Sequence, residues 1–212
     1  MAMNLLLIGS GGHCASVYDS ALSMRLYDKI GIVLKNHESD QVTNPTLVVG
    51  TDSDLISLRN CGYEYAFVAV GSIGDVSTRV KLFYLLKELN FSIPNIVDST
   101  ASISKDVVLG ECIYAGKNSV IGARSIVGNC AIINSSAVVE HGCNVADFVH
   151  LATSSTLCGS VKIGYGTHIG AGSVVKQGVS VGDHVMIGMG SVVLRDVASG
   201  KTAYGNPCRV VV

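Results

Sequence analysis

The chain has no tryptophan, and only 15% of its 212 residues are charged. Both shortages suit a chain wound into tight coils with small side chains. The formal net charge is -1 and the basic residues are scattered, which removes the electrostatic case for nucleic acid or an anionic membrane surface. No run of 18 or more apolar residues exists, so no segment is expected to span a membrane. Residues 1–8 lack the basic segment and long apolar stretch of a signal peptide. The seven cysteines form no CxxC pair and are odd in number. They read as reduced thiols, most of them small buried apolar side chains, in a cytoplasmic protein.

What is abundant is periodic. With 48% hydrophobic residues and a mean hydropathy of +0.45, the chain can bury a sizeable core. Seventeen six-residue units run without a gap from Val97 to Ala198, each opening on a small or branched apolar residue. Val139, Val145, Leu151, Leu157 and Ile163 are successive openers, and glycine follows the opener in eight units. Fifth positions such as Ser125, Ala137, Val149 and Thr167 are small or β-branched. A fixed short period is a solenoid signature, and neither helix nor ordinary strand periodicity gives six. A triangular left-handed parallel β-helix does, with one unit per side and three per coil. Opener positions should be buried and third positions exposed.

Residues 1–95 read as a separate small α/β, Rossmann-like domain, 96–198 as the β-helix and 199–212 as a tail. Leu5–Ile8, Ile30–Leu34, Leu47–Val49 and Tyr65–Gly71 are strand candidates. Helical stretches are expected from Cys14 to about Tyr27 and from Val76 to Asn90, the second with Val80, Phe83, Leu86 and Leu89 on its apolar face. Asp52 is expected to cap a short helix through Leu58. Alternating strands and helices imply a parallel sheet, with the domain boundary near Pro94.

Gly9-Ser10-Gly11-Gly12-His13 lies where the first strand turns into the first helix. It is neither a full GxGxxG nor a Walker pattern, so it reads either as a tight turn or as a loop presenting N–H groups to a phosphate. Gly71 ends another strand on the same carboxyl edge, where open parallel sheets bind ligands. In the repeat, His141 is a third-position residue and should point outward. His150 and His168 close units eighteen residues apart, one full coil, and should stack. An imidazole is a suitable base for taking a proton from an amine or hydroxyl that attacks a thioester.

The loop Gly9–His13, the stretches Ile133–Cys143 and Phe148–Leu151, and the ending Gly205–Arg209 resemble the sugar acyltransferases of the PglD/NeuD type across essentially the whole chain. The resemblance implies a nucleotide-sugar-binding domain ahead of a β-helix, assembly as a homotrimer, and acetyl-CoA as cosubstrate with no metal. It places His141 as catalytic base with Glu140 beside it, and His150 near the thioester. Ala171 and Met189 then line the pantetheine arm, while Gly11, Gly12, His13, Lys35 and Gly71 meet the nucleotide-linked sugar. Two departures stand out: Gly142 replaces an acidic residue after the base, and Leu34-Lys35-Asn36 replaces paired aspartates.

The expected reaction is N-acetylation of a nucleotide-linked 4-amino sugar. O-acetylation of sialic acid or a related sugar, and a non-catalytic β-helix scaffold, are the alternatives. A γ-class carbonic anhydrase would need a close histidine pair, which the spacings of nine, eighteen and sixteen from His141 to His184 do not provide.

Overall fold

The computed structural model describes residues 3–36 and 45–211. Strands β1 (Asn4–Ile8), β2 (Lys29–Leu34), β3 (Val48–Thr51) and β4 (Tyr65–Val68) form a parallel sheet in the order β3-β2-β1-β4. The run Leu5–Ile8 is wholly buried, as a central parallel strand covered on both faces must be. Helix α1 (Gly12–Met24) starts before Cys14 and stops short of Tyr27, because Arg25 turns left-handed (φ 55°) and closes on the Leu22 carbonyl. Asp52 does not cap α2 (Leu55–Asn60). It opens a short 3-10 turn capped by Thr51, whose N–H donates to Asp54 Oδ2 at 2.8 Å. Helix α3 (Ser77–Glu88) buries Arg79, Leu82, Phe83 and Leu86, with Val80 and Leu89 only partly covered. The buried face is rotated from the expected one because α3 also packs on the coil, where the Phe83 and Phe148 rings lie 5.9 Å apart.

From β5 (Ile96–Val97) to β21 (Val192–Val193) the repeat forms seventeen two-residue strands. Strands eighteen residues apart pair in parallel and build three sides of a prism. The first side holds 114–115, 132–133 and 150–151, the second 120–121, 138–139 and 156–157, the third 126–127, 144–145 and 162–163. Openers from Ala115 to Val193 are buried, as are fifth positions from Ile113 to Val197. Every fourth position from Cys112 to Gly190 turns the corner with φ between 52° and 72°. Three polar fifth-position side chains are satisfied inside the coil, where Ser125, Thr167 and Ser173 donate to the carbonyls of Glu140, Gly182 and Gly188, whereas the buried Ser119 and Ser155 hydroxyls have no partner among the described residues. A hairpin of β22 (Thr202–Gly205) and β23 (Cys208–Val210) extends the first side at the far end.

The two parts share one hydrophobic cluster, in which Cys112, Tyr114, Cys130 and Phe148 of the coil join the sheet domain's core. A polar tie locks the seam. Ser20 Oγ of α1 donates to Asp98 Oδ2 at 2.7 Å and lies 3.2 Å from the Tyr114 hydroxyl. Thr100 supplies N–H and O–H donors to Asp98 Oδ1. Burial pushes the Asp98 carboxyl up, but the donors from Ser20 and Thr100 outweigh it and hold it below the usual range. Asp98→Ala should therefore cost about 1–3 kcal/mol, because it strands the buried Ser20 hydroxyl; denaturant unfolding checks this, and an unchanged midpoint would show the tie to be unimportant.

Candidate active site

The carboxyl ends of the four sheet strands meet at one edge. Gly9, Gly11 and Gly12 after β1, Lys35 after β2, Asp52 after β3 and Lys81 of α3 line a cavity of about 760 Å³ there. Strand order reverses between β1 and β4, so the cavity lies at the switch point where such sheets take ligands. Gly9 has φ 124°, and a side chain on it would stand 2.8 Å from Val70 Cγ2; glycine alone permits this turn. Helix α1 has no side-chain cap and no acid in its first turn. Nothing lies within 4 Å of where side chains on Gly11 or Gly12 would project. A helix N-terminus without a side-chain cap beside open space is the arrangement that receives a phosphate.

A second cleft, of about 540 Å³, shares Gly12, His13 and Gly71 with the first and runs onto the coil. Its coil wall is Asn134, Ser135, His150 and Thr153, with Ser72 and Ile73 opposite. A side chain on Gly71 would lie 3.3 Å from His13 Cβ, so this glycine makes room for the imidazole. His13 packs edge-on against Tyr114 at 5.2 Å. The residue is part-buried, and its Nε2 is sealed from solvent with no hydrogen-bond partner among the described residues. Burial pushes its pKa down to about 3, with His150 and Arg79 adding to the effect.

His150 Nδ1 lies 2.8 Å from the Ser72 carbonyl, which only accepts, so Nδ1 carries the proton. Nε2 lies 3.3 Å from Asn134 Nδ2. Burial lowers the His150 pKa, the Ser72 contact opposes this, and His168 and Arg79 lower it further, to about 4. The His150 and His168 rings stack edge-on at 4.8 Å. These histidines stay neutral in the folded protein but gain protons near 6.5 when unfolded. Stability is thus fully present above pH 6.5 and falls with pH, through about 4 for His150 and about 3 for His13. Thermal unfolding from pH 7.5 to 4.5 should show a decline that His13→Gln flattens; identical slopes would contradict this assignment.

His141 is exposed at a corner and lines neither cavity. Its ring lies over Gly159, one coil on, where a Cβ would stand 2.6 Å from His141 Cε1. Among the described residues no hydrogen bond reaches the ring, and Glu140 is exposed and unpaired with it. The His141 corner and the Asn134–Thr153 corner flank the second side of the prism. Ala171 and Met189 continue the column of Ser135 and Thr153 at one-coil spacing, Ala171 half-buried and Met189 80% exposed. Within one chain, then, His13, His150, Gly12 and Gly71 converge, Gly11 and Lys35 sit in the adjoining cavity, and His141 stands apart.

Sequence reasoning missed Asp52 and Lys81 in the first cavity, Asn134 and Ser72 in the second, and Arg79 behind both. Asn134 lies in the family-like stretch and was within reach; Arg79 gives no sequence signal, since a helical arginine ordinarily faces solvent. No group of three or more His, Cys, Asp or Glu among the described residues is placed to hold a metal ion.

Residues 4–86 match the model of the PglD N-terminal domain, and residues 160–195 that of the hexapeptide repeat of succinyl-transferase. Among curated proteins none matches. Among solved structures, PerB of Caulobacter crescentus, in complex with CoA and GDP-perosamine, is 33% identical with a TM-score of 0.90, the match covering 99% of this chain and 97% of that one. The acetyltransferase domain of PglB from Neisseria gonorrhoeae, bound to acetyl coenzyme A, is 28% identical over 100% of both chains with a TM-score of 0.88. WeeI of Acinetobacter baumannii shares the fold at 21% identity, with a TM-score of 0.87 over 99% of this chain and 100% of that one. With a parallel-sheet domain, a hexapeptide coil and these matches along its whole length, the chain belongs to the PglD/NeuD-type family of sugar acetyltransferases.

Proposed function

We propose that this protein transfers acetyl from acetyl-CoA to the amine of a nucleotide-linked 4-amino sugar. The observation that carries the reading is the continuous pair of cavities. The first offers a glycine loop and helix N-terminus for the diphosphate, and leads past His13 into a cleft of neutral polar groups. Lys35, Lys81 and Asp52 then face the nucleoside end. Use of a whole nucleotide sugar as the acetyl acceptor also accords with the relative solved with GDP-perosamine and CoA. Among the described residues no lysine or arginine side chain lines the second cleft. A sialic acid carboxylate there would lie unpaired, which disfavours the O-acetylation reading.

The active assembly in this reading is a homotrimer in the cytoplasm. Val120, Val138, Val174 and Val192 form an outward column on the second side, with Val120 and Val174 37% and 38% exposed. The His141 and cleft corners flank that side, so a neighbour packed there by threefold symmetry would bring its His141 to this chain's cleft. Ala171 and Met189, farther along the cleft corner, would meet the pantetheine arm. No helix among the described residues is long and apolar enough to cross a membrane, and all seven cysteines are free thiols, in keeping with a reducing compartment.

In the reaction, the sugar amine attacks the thioester carbonyl while His141 takes its proton. The tetrahedral oxyanion collapses, the C–S bond breaks, and the imidazolium returns a proton to the departing thiolate. The deciding experiment incubates the protein with acetyl-CoA and a panel of nucleotide-linked amino sugars while thiol release is followed. Turnover only on a free acidic sugar, or coenzyme binding without turnover on any acceptor, would overturn the reading. Gly159→Ala tests the placement of the ring: its methyl would occupy the space under His141, so kcat should fall about 10-fold with the fold intact. Wild-type kcat in that variant would show that ring placement is not limiting.

A further inference from the structure

We propose that Arg79 is a positioning residue for the transfer site, acting through Ser72 to hold His150 as a neutral ring whose Nε2 lone pair faces Asn134 at the cleft wall. The inference rests on the reading that this cleft receives the acceptor.

Arg79 is 2% exposed, on the buried face of α3. Its Nη1 donates to Ser72 Oγ at 3.0 Å and to the Phe148 carbonyl at 3.2 Å, and Nη2 donates to the Cys130 carbonyl. The guanidinium carbon lies 6.0 Å from the Phe148 ring centroid. Among the described residues no carboxylate forms an ion pair with it. A cation held only by neutral oxygens is costly to bury, and an apolar residue of similar volume would ordinarily be as stable or more so. The planar fork does what an apolar residue cannot. It pins the loop after β4 to two successive corners of the coil, and Ser72 lies between the fork and His150.

Both ends of the His150 ring are fixed by groups that are themselves fixed. The Ser72 carbonyl accepts from Nδ1–H. Asn134 cannot turn its amide, because its Oδ1 accepts the Ser135 N–H at 2.8 Å, so its NH2 faces Nε2. A second ring proton would collide with that NH2. The titratable groups facing the ring are His13 from α1, Arg79 from α3 and His168 from the next coil, with no carboxylate among them. A displaced or protonated His150 would repel an ammonium and misplace the acceptor.

The full-length protein and its Arg79→Lys, Arg79→Met and Ser72→Ala variants decide the matter, with imidazole 15N spectra of His150 alongside steady-state kinetics. The wild-type ring should be the neutral Nδ1–H tautomer at pH 7; a protonated ring or an Nε2–H tautomer would overturn the proposal without any variant. Arg79→Lys keeps the charge but loses the fork. It should fold, keep the coenzyme KM, mix the His150 tautomers and lower kcat/KM for the acceptor about 10- to 100-fold. Arg79→Met removes the charge and should let His150 bind a proton at higher pH, moving the acid limb of kcat/KM upward. Ser72→Ala should reproduce part of the tautomer change. Lower melting temperatures with unchanged His150 signals and unchanged acceptor kinetics would reduce Arg79 to a structural tie. Should no nucleotide sugar be turned over by the wild type, the acceptor reading fails, and the spectra still judge the link from Arg79 to His150.

Discussion

His141→Ala is expected to lower kcat by about 10²-fold or more, with the fold and coenzyme affinity retained, since general-base catalysis supplies about 10²–10⁴. The side chain is exposed and lies over Gly159, so its loss opens no cavity in the core. Calorimetry with CoA and circular dichroism check that the variant is intact, and thiol release on a verified acceptor gives the rate. Gly142 supplies no carboxylate behind the ring, and Glu140 makes no hydrogen bond to it within the chain. Glu140→Gln should accordingly cost far less than His141→Ala. A Glu140→Gln loss as large as that of His141→Ala would assign the carboxylate a direct part in the proton transfer. Wild-type turnover in His141→Ala would falsify the mechanism.

Val139→Asp should be the most destabilising single change in the coil, by more than about 4 kcal/mol, the range reached when an unpaired charge enters a packed core. Val139 is 0% exposed and stacks between Ile121 and Leu157 on the same side of the prism. Ile121 and Leu157 are apolar and offer a carboxylate no partner, and each coil contacts only its neighbours, so the defect cannot be spread. Soluble yield and urea unfolding measure the effect. Lys162→Ala, at an exposed sixth position, is the control and should stay within about 0.5 kcal/mol of wild type. Equal effects at the two positions would mean the repeat has been read in the wrong register.

The coil was legible because its rule is local. One inward opener and one small inward fifth residue per unit leave the prism only one register, and neighbours eighteen residues apart must stack. The outward direction of His141 and the pairing of His150 with His168 follow from that arithmetic. The glycine loop was legible for a similar reason, since Gly9 needs a left-handed turn and the next glycines must leave a helix N-terminus uncovered. Strand and helix ends in the sheet domain were less so. The end of α1 at Met24 depends on Arg25 accepting a left-handed conformation, and the buried face of α3 depends on what it packs against.

By itself, then, the sequence determined the hexapeptide coil and the residues free to face outward, because these are set by contacts at a fixed separation of eighteen residues, while the parallel sheet before it was marked by apolar runs alternating with helical spacing. Only the tertiary structure decided which outward residues share a site. It joined His13, Ser72, Asn134 and His150 around one cleft, set His141 on another corner, and buried Arg79 where an exposed helical cation was the ordinary expectation. These pairings span separations with no period, fixed by how α1 and α3 dock on the corner formed by Cys112, Cys130 and Phe148, and no local pattern encodes that docking.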